Sequence, residues 1–141
     1  MFQQIAPRIK VCPFSITWFL QEETPQAKSH SFDEAEFLIG AQLKKRAYIG
    51  QPFLDGIVTA GTAVRVWSQG PEAIAVYVPV AIFSGEKSPL YDSDMTDEQF
   101  HQFLNELASD VGYDLNQSRV EVRCNGEAWA LQDSRRDNKA A

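Results

Sequence analysis

Cysteine and histidine are scarce in this chain of 141 residues, which holds two of each. Cys12 and Cys124 stand far apart in sequence, and neither belongs to a C-x-x-C pair or lies near a histidine at metal-ligand spacing. A zinc site is therefore not expected. Two cysteines are also too few for a small secreted scaffold stapled by disulfides, which makes a reducing, cytoplasmic setting the simpler expectation. His30 and His101 have no sequence neighbour that would make either one a base or a ligand.

Long apolar runs are missing too. The longest, Ala73 to Phe83, contains Pro79 and is far short of the ~20 residues that span a bilayer. The apolar stretch from Val11 to Leu20 follows two cations, as in a signal peptide. It lacks a small-x-small cleavage site and runs into Gln21-Glu22-Glu23, so it reads as a strand. Cations are outnumbered, with 13 Lys plus Arg against 19 Asp plus Glu and a formal net charge of -6. Binding to nucleic acid or to anionic lipid needs clustered cations and is not expected.

The common catalytic signatures are absent as well. Gly56 and Gly61 have the wrong spacing for a phosphate loop, with no lysine between them, and no G-x-S-x-G elbow occurs. Asp92-Ser-Asp94-Met-Thr96 has the D-x-D-x-T spacing of an aspartate-nucleophile loop, but a turn-rich stretch precedes it where that loop needs a buried strand. It fails as a calcium loop because Asp97 stands where glycine is required. It reads as an acidic approach to a helix cap. No cofactor is expected, and an enzyme is less favoured than a binding protein.

What is present is a clear alternation of helix and strand signals. Ser31-Phe-Asp-Glu34 is a capping box that opens a helix from residue 32 to about 46, with Ala35, Leu38, Ile39 and Leu43 on one face and Lys44, Lys45 and Arg46 at its negative end. Gly40 inside it points to close packing on a neighbour. Thr96-Asp-Glu-Gln99 opens a second helix, whose stripe of Phe100, Phe103, Leu104, Leu107, Ala108 and Val111 ends at Gly112, read as a left-handed cap.

Between the helices, Thr62 to Ser68 is β-prone, and Ala73 to Phe83 alternates with a period of two. Ile74, Val76, Val78, Val80 and Ile82 share one face of that strand, while Tyr77 and Phe83 lie on the other. Pro79 calls for a bulge. Arg119 to Cys124 alternates as a strand with one wet face, and Asn125-Gly126 turns it into a short return strand.

The order β-α-β-β-α-β is that of the ferredoxin-like arrangement, an α+β fold with two helices on one face of an antiparallel sheet, here with a C-terminal hairpin strand added. In that arrangement the first and last main strands are neighbours, which brings Cys12 near Cys124. Residues 1-131 are expected to form one domain and 132-141 a polar tail.

Because fold does not fix function, the leading reading rests on charge. Asp92, Asp94, Asp97, Glu98, Glu106 and Asp110 gather acid around the second helix. They suggest a non-catalytic protein-binding domain, of inhibitor, immunity or adaptor type, facing a basic protein partner. The alternative is a small-molecule-binding domain or modest enzyme with a pocket lined by Trp18, Trp67, Tyr77 and Phe83. A homodimer is expected through the sheet face carrying Tyr77 and Phe83.

Overall fold

Both helices begin where the side chains at their caps direct. The Ser31 hydroxyl accepts a hydrogen bond from the Glu34 backbone N–H at 3.1 Å, and Thr96 does the same for Gln99 at 3.1 Å. Only the second start closes the full box, with the Gln99 side chain accepting from the Thr96 N–H at 2.9 Å. Glu34 instead turns its carboxylate to the His30 ring, 2.9 Å away.

The computed structural model describes residues 1–4, 10–21, 29–88, 92, 94–117 and 119–132. The expected C-terminal tail lies outside these beyond residue 132. The elements run β1 (Cys12–Phe19), α1 (Phe32–Tyr48), β2 (Ile57–Gln69), β3 (Glu72–Lys87), α2 (Asp97–Asp114), β4 (Arg119–Cys124) and β5 (Glu127–Gln132). The strands form one antiparallel sheet in the order β2-β3-β1-β4-β5, which makes the fold α+β with a five-stranded sheet and two helices.

One sheet face carries the core. Phe14, Ile16 and Trp18 of β1, Ala81 and Phe83 of β3, and Val120, Val122 and Cys124 of β4 pack against the apolar stripe of α2 and against Ala35 and Ile39 of α1. Phe14 sits at the centre, its ring 5.6 Å from Phe83 and 5.8 Å from Phe100.

This arrangement corrects the expected exposure of Phe83, which is buried beneath the helices because its register partner Ile16 faces them. Period two tells which residues share a face; it does not tell which face is covered. Tyr77 has the same parity as Phe83, but β1 pairs with β3 only from Val80 to Lys87. Beyond that point β2 and β3 continue as a two-stranded ribbon on which Tyr77 is 66% exposed. Phe83 and Tyr77 do not form one open surface.

The bulge expected at Pro79 does not occur. The β2–β3 register runs unbroken through Thr62 opposite Pro79. The Pro79 carbonyl accepts from the Leu20 N–H at 2.9 Å, so its nitrogen also points to the β1 side, one step past the end of β1 at Phe19. Proline is tolerated inside β3 because the carbonyl its missing N–H would have faced, that of Leu20, accepts instead from the His30 N–H at 2.8 Å.

The two helical glycines differ from their expected roles. α2 does not stop at Gly112. It runs to Asp114, and Asn116 takes the left-handed conformation at φ 62°. The Asn116 and Gln117 N–H groups donate to the Tyr113 and Gly112 carbonyls at 3.0 and 2.8 Å, which is a Schellman closure. Gly112 is a contact point instead: a Cβ there would come within 2.7 Å of Val120 Cγ2 and 3.8 Å of the Trp18 ring. Gly40, expected to pack closely, has nothing within 4 Å of where its Cβ would stand.

The two sites should therefore respond with opposite signs. Gly40→Ala should stabilise the protein by about 0.5–1 kcal/mol through higher helix propensity. Gly112→Ala should destabilise it by about 1–3 kcal/mol through overpacking. Urea denaturation followed by circular dichroism measures both, and equal signs would contradict the packing described.

Candidate functional site

At one end of the sheet, β1 and β3 pair Cys12 with Lys87. The approach to α2 and the β4–β5 turn meet there. Lys10, Val11, Cys12, Lys87, Asp92, Met95, Asp97 and Asn125 line an open cleft of about 570 Å³. That volume is in the range that takes a small organic molecule.

Local structure explains how these side chains are held. Asp92 accepts from the Ser88 N–H at 2.8 Å through its carboxylate, and its own N–H donates to the Ser88 carbonyl at 2.7 Å. The Met95 N–H donates to the Asp92 carbonyl at 3.0 Å, and Thr96 then caps α2. The D-x-D-x-T segment is thus a helix approach whose first aspartate borders the cleft. Lys87 Nζ lies 3.2 Å from Asp97 Oδ1 and 5.8 Å above the Phe100 ring. Asn125, at φ 49°, donates its N–H to the Pro13 carbonyl at 3.0 Å and fixes the turn against the start of β1.

Chemically, the cleft puts an ammonium beside carboxylates, with the apolar Val11 and Met95 adjacent. This set suits a ligand that carries both charges together with an apolar part. Among the described residues no cluster of His, Cys, Asp and Glu is arranged to hold a metal ion. The two cysteines flank this end of the sheet with their sulfurs 4.0 Å apart. Burial, and then the neighbouring Cys12, push the Cys124 thiol up to about 11, so near neutral pH it is a thiol and not a thiolate nucleophile.

The acidic residues singled out in the sequence are dispersed. Asp92 and Asp97 border the cleft, while Asp94 and Glu98 point to solvent. Glu106 pairs with Arg46 of α1 and accepts from Gln102 at 2.8 Å, and these hydrogen bonds hold its carboxyl below the ordinary range. Arg46, expected at the negative end of the helix, is only 6% exposed and turned inward. Asp110 is raised, first by partial desolvation and then by the charge of Glu106.

Trp18, Tyr77 and Phe83, three of the four aromatic residues proposed as a pocket, do not come together. Trp18 and Phe83 are fully enclosed in the core, Tyr77 stands on the ribbon, and Trp67 lies on β2 opposite Ile74. Of the residues that border the cleft, only Asp92 and Asp97 were among the sequence candidates. Lys10, Cys12 and Lys87 carry no motif, Asn125 carries only its turn signal, and the four meet only through strand order.

No family model matches the sequence, and no curated protein does. Two solved structures share the fold. A phage SAM lyase in its apo state superposes with a TM-score of 0.61 at 14% identity, covering 93% of this chain and 98% of that one. A phage SAM lyase in complex with S-methyl-5'-thioadenosine gives 0.59 at 13% identity, covering 92% and 97%. Among the described residues no helix is long and apolar enough to cross a membrane. The reading as a non-catalytic inhibitor, immunity-type or adaptor domain is overturned by these likenesses, because the chain shares nearly its whole length with the fold of a SAM lyase, while Glu106 of the supposed docking face is paired with Arg46 within the chain.

Proposed function

We propose that this chain is a small-molecule-binding enzyme that takes a sulfonium nucleoside of the S-adenosylmethionine type in the cleft between Cys12, Lys87 and Asp97. The observation that carries this reading is the mixed-charge cleft, on a fold that a SAM lyase also uses. The amino-acid end of such a ligand is a zwitterion. Its carboxylate matches Lys87 or Lys10, and its ammonium matches Asp92 or Asp97. Charge-assisted hydrogen bonds of this kind are each worth about 1.5–3 kcal/mol. The thioether and methyl groups suit Met95 and Val11.

In a lyase step the bond from sulfur to the four-carbon amino-acid group breaks, the electron pair stays on sulfur, and S-methyl-5'-thioadenosine leaves uncharged. The balancing electrons come from within the substrate, either from its own carboxylate, which bonds to the carbon that sulfur leaves, or from a C–H bond, whose proton passes to a carboxylate or to water as a C=C bond forms, so no outside nucleophile is required. Carboxylates at the cleft would serve binding of the cation, while the apolar contacts favour a transition state in which its charge is fading.

The sheet order β2-β3-β1-β4, with both helices on the face of Phe14 and Ile16, supports reading the fold as ferredoxin-like with β5 added at one edge.

Calorimetric titration with S-adenosylmethionine and with S-methyl-5'-thioadenosine tests the binding claim, and chromatography for released thioadenosine tests turnover. Lys87→Ala and Asp97→Asn should each weaken binding of the full zwitterionic substrate by ~10-fold or more, while leaving thioadenosine, which has no amino-acid end, nearly unchanged. Absence of binding by both compounds would refute the proposal. Equal losses for both would refute the assignment of the two charges.

A further inference from the structure

We propose that Cys12 and Cys124 form a dithiol that a small disulfide such as oxidised glutathione closes to an intramolecular disulfide, stapling β1 to β4 beside the cleft. Their sulfurs already stand 4.0 Å apart, and both cysteines are free. The topology makes the approach lasting. β1 and β4 are hydrogen-bonded neighbours, with Phe14 opposite Cys124, so Cys124 shares the face of Phe14. Cys12, two residues before Phe14, projects to that face too. Cys12 and Cys124 are thus a diagonal pair, whose Cα atoms lie about 7–8 Å apart in a regular ladder, while a disulfide needs them roughly 4.4–6.8 Å apart with sulfurs about 2.05 Å apart, so closure draws the two strand ends together. The backbones touch between the two cysteines, where the Asn125 N–H donates to the Pro13 carbonyl at 3.0 Å. Cys12 is the first residue of β1 and Cys124 the last of β4, so a shift of ~2 Å in sulfur position falls at strand ends, where ladder constraints are weakest.

The two thiols differ in access, which sets the order of events. Cys12 is half-buried and borders the cleft, whereas Cys124 is 5% exposed. The Cys12 thiolate attacks one sulfur of oxidised glutathione. That disulfide breaks, and one glutathione leaves as a thiolate that takes up the proton Cys12 gave up. The Cys124 thiolate then attacks the Cys12 sulfur, and the second glutathione leaves with the proton from Cys124. In sum two protein thiols are oxidised and one oxidised glutathione is reduced to two glutathione thiols. Because burial holds the Cys124 thiol high, the second step should accelerate as pH rises from neutral. None of this depends on what the cleft binds.

The test is intact-mass analysis of the full chain under excess oxidised glutathione, with thiol titration and a non-reducing gel. Wild type should lose both thiols, end lighter by two hydrogens, retain no glutathione and remain one chain. Cys124→Ser should retain one glutathione on Cys12, and Cys12→Ser should be glutathionylated more slowly than Cys124→Ser by about tenfold or more. A wild type that keeps both thiols, that holds glutathione on Cys12 without closing, or that crosslinks between chains would overturn the proposal. These outcomes are read on wild type itself, so a variant that fails to fold does not blunt them.

Discussion

Trp18→Ala should destabilise the protein by about 3–5 kcal/mol, the range for deleting a large aromatic from a packed core. Trp18 has no solvent exposure, and it lies between the sheet and α2. Its indole Nε1–H donates to the Ala108 carbonyl at 3.1 Å, reaching a helix whose backbone is otherwise satisfied internally. Trp18→Phe separates the two contributions. It retains most of the apolar volume and forfeits the hydrogen bond, so it should cost about 1–2 kcal/mol. Urea denaturation followed by far-ultraviolet circular dichroism measures both variants. The sequence alternative gave Trp18 a pocket role, so a Trp18→Phe protein that remained fully stable but lost ligand affinity would restore that role and sink the core assignment.

The contrast between Trp18 and the cleft shows what was legible in the sequence. Helix starts could be read because a cap is local: Ser31 and Thr96 meet backbone groups three residues away. The apolar stripe of α2 was equally plain, since a single helix face is fixed by periodicity. Strand faces were half legible. Alternation grouped Tyr77 with Phe83 correctly, yet the cover over one and not the other depends on where β1 ends. Gly112 was misread as a cap because a glycine near a helix end satisfies that rule and also permits close packing, and only the position of Val120 decides. The cysteine pair was foreseeable from topology. The cleft was not, because Lys87, Asp97, Cys12 and Asn125 come from four segments and have no mutual spacing to recognise. The acidic cluster around α2 misled for a related reason. Charges counted along a chain cannot reveal that Glu106 faces an arginine 60 residues away.

That arginine gives the second large effect: Arg46→Ala should cost about 3 kcal/mol. Its side chain is 7% exposed, and its guanidinium donates from Nε to the Pro52 carbonyl at 2.9 Å and from Nη1 to Glu106, and lies 5.3 Å from the centre of the Phe103 ring. Removing one partner of a buried pair typically costs 3–5 kcal/mol, and Glu106, 37% exposed, can return partly to water, which places this case at the low end. Glu106→Gln keeps an acceptor oxygen for Arg46 and should cost about 1–2 kcal/mol. The double variant Arg46→Met with Glu106→Leu should be less destabilised than the sum of its singles, because neither polar group is left stranded.

The pair also sets the acid response. Glu106 is lowered in the folded state, first by its hydrogen bond from Arg46, so its stabilisation is complete above the ordinary carboxylate value of 4.5 and is lost as pH falls through the lower folded value. Asp110 runs the other way. Raised by desolvation and by Glu106, it binds its proton more readily when folded, so it costs stability at neutral pH and that cost fades as pH falls through its raised value towards 3.8. Glu106→Gln removes the first effect and weakens the second, since one of the three causes raising Asp110 is gone. Wild type should therefore lose stability more steeply than Glu106→Gln as pH drops below about 4.5, the ordinary carboxylate value. Denaturation midpoints taken across that range would show parallel curves for the two proteins if the Arg46–Glu106 contact contributed nothing.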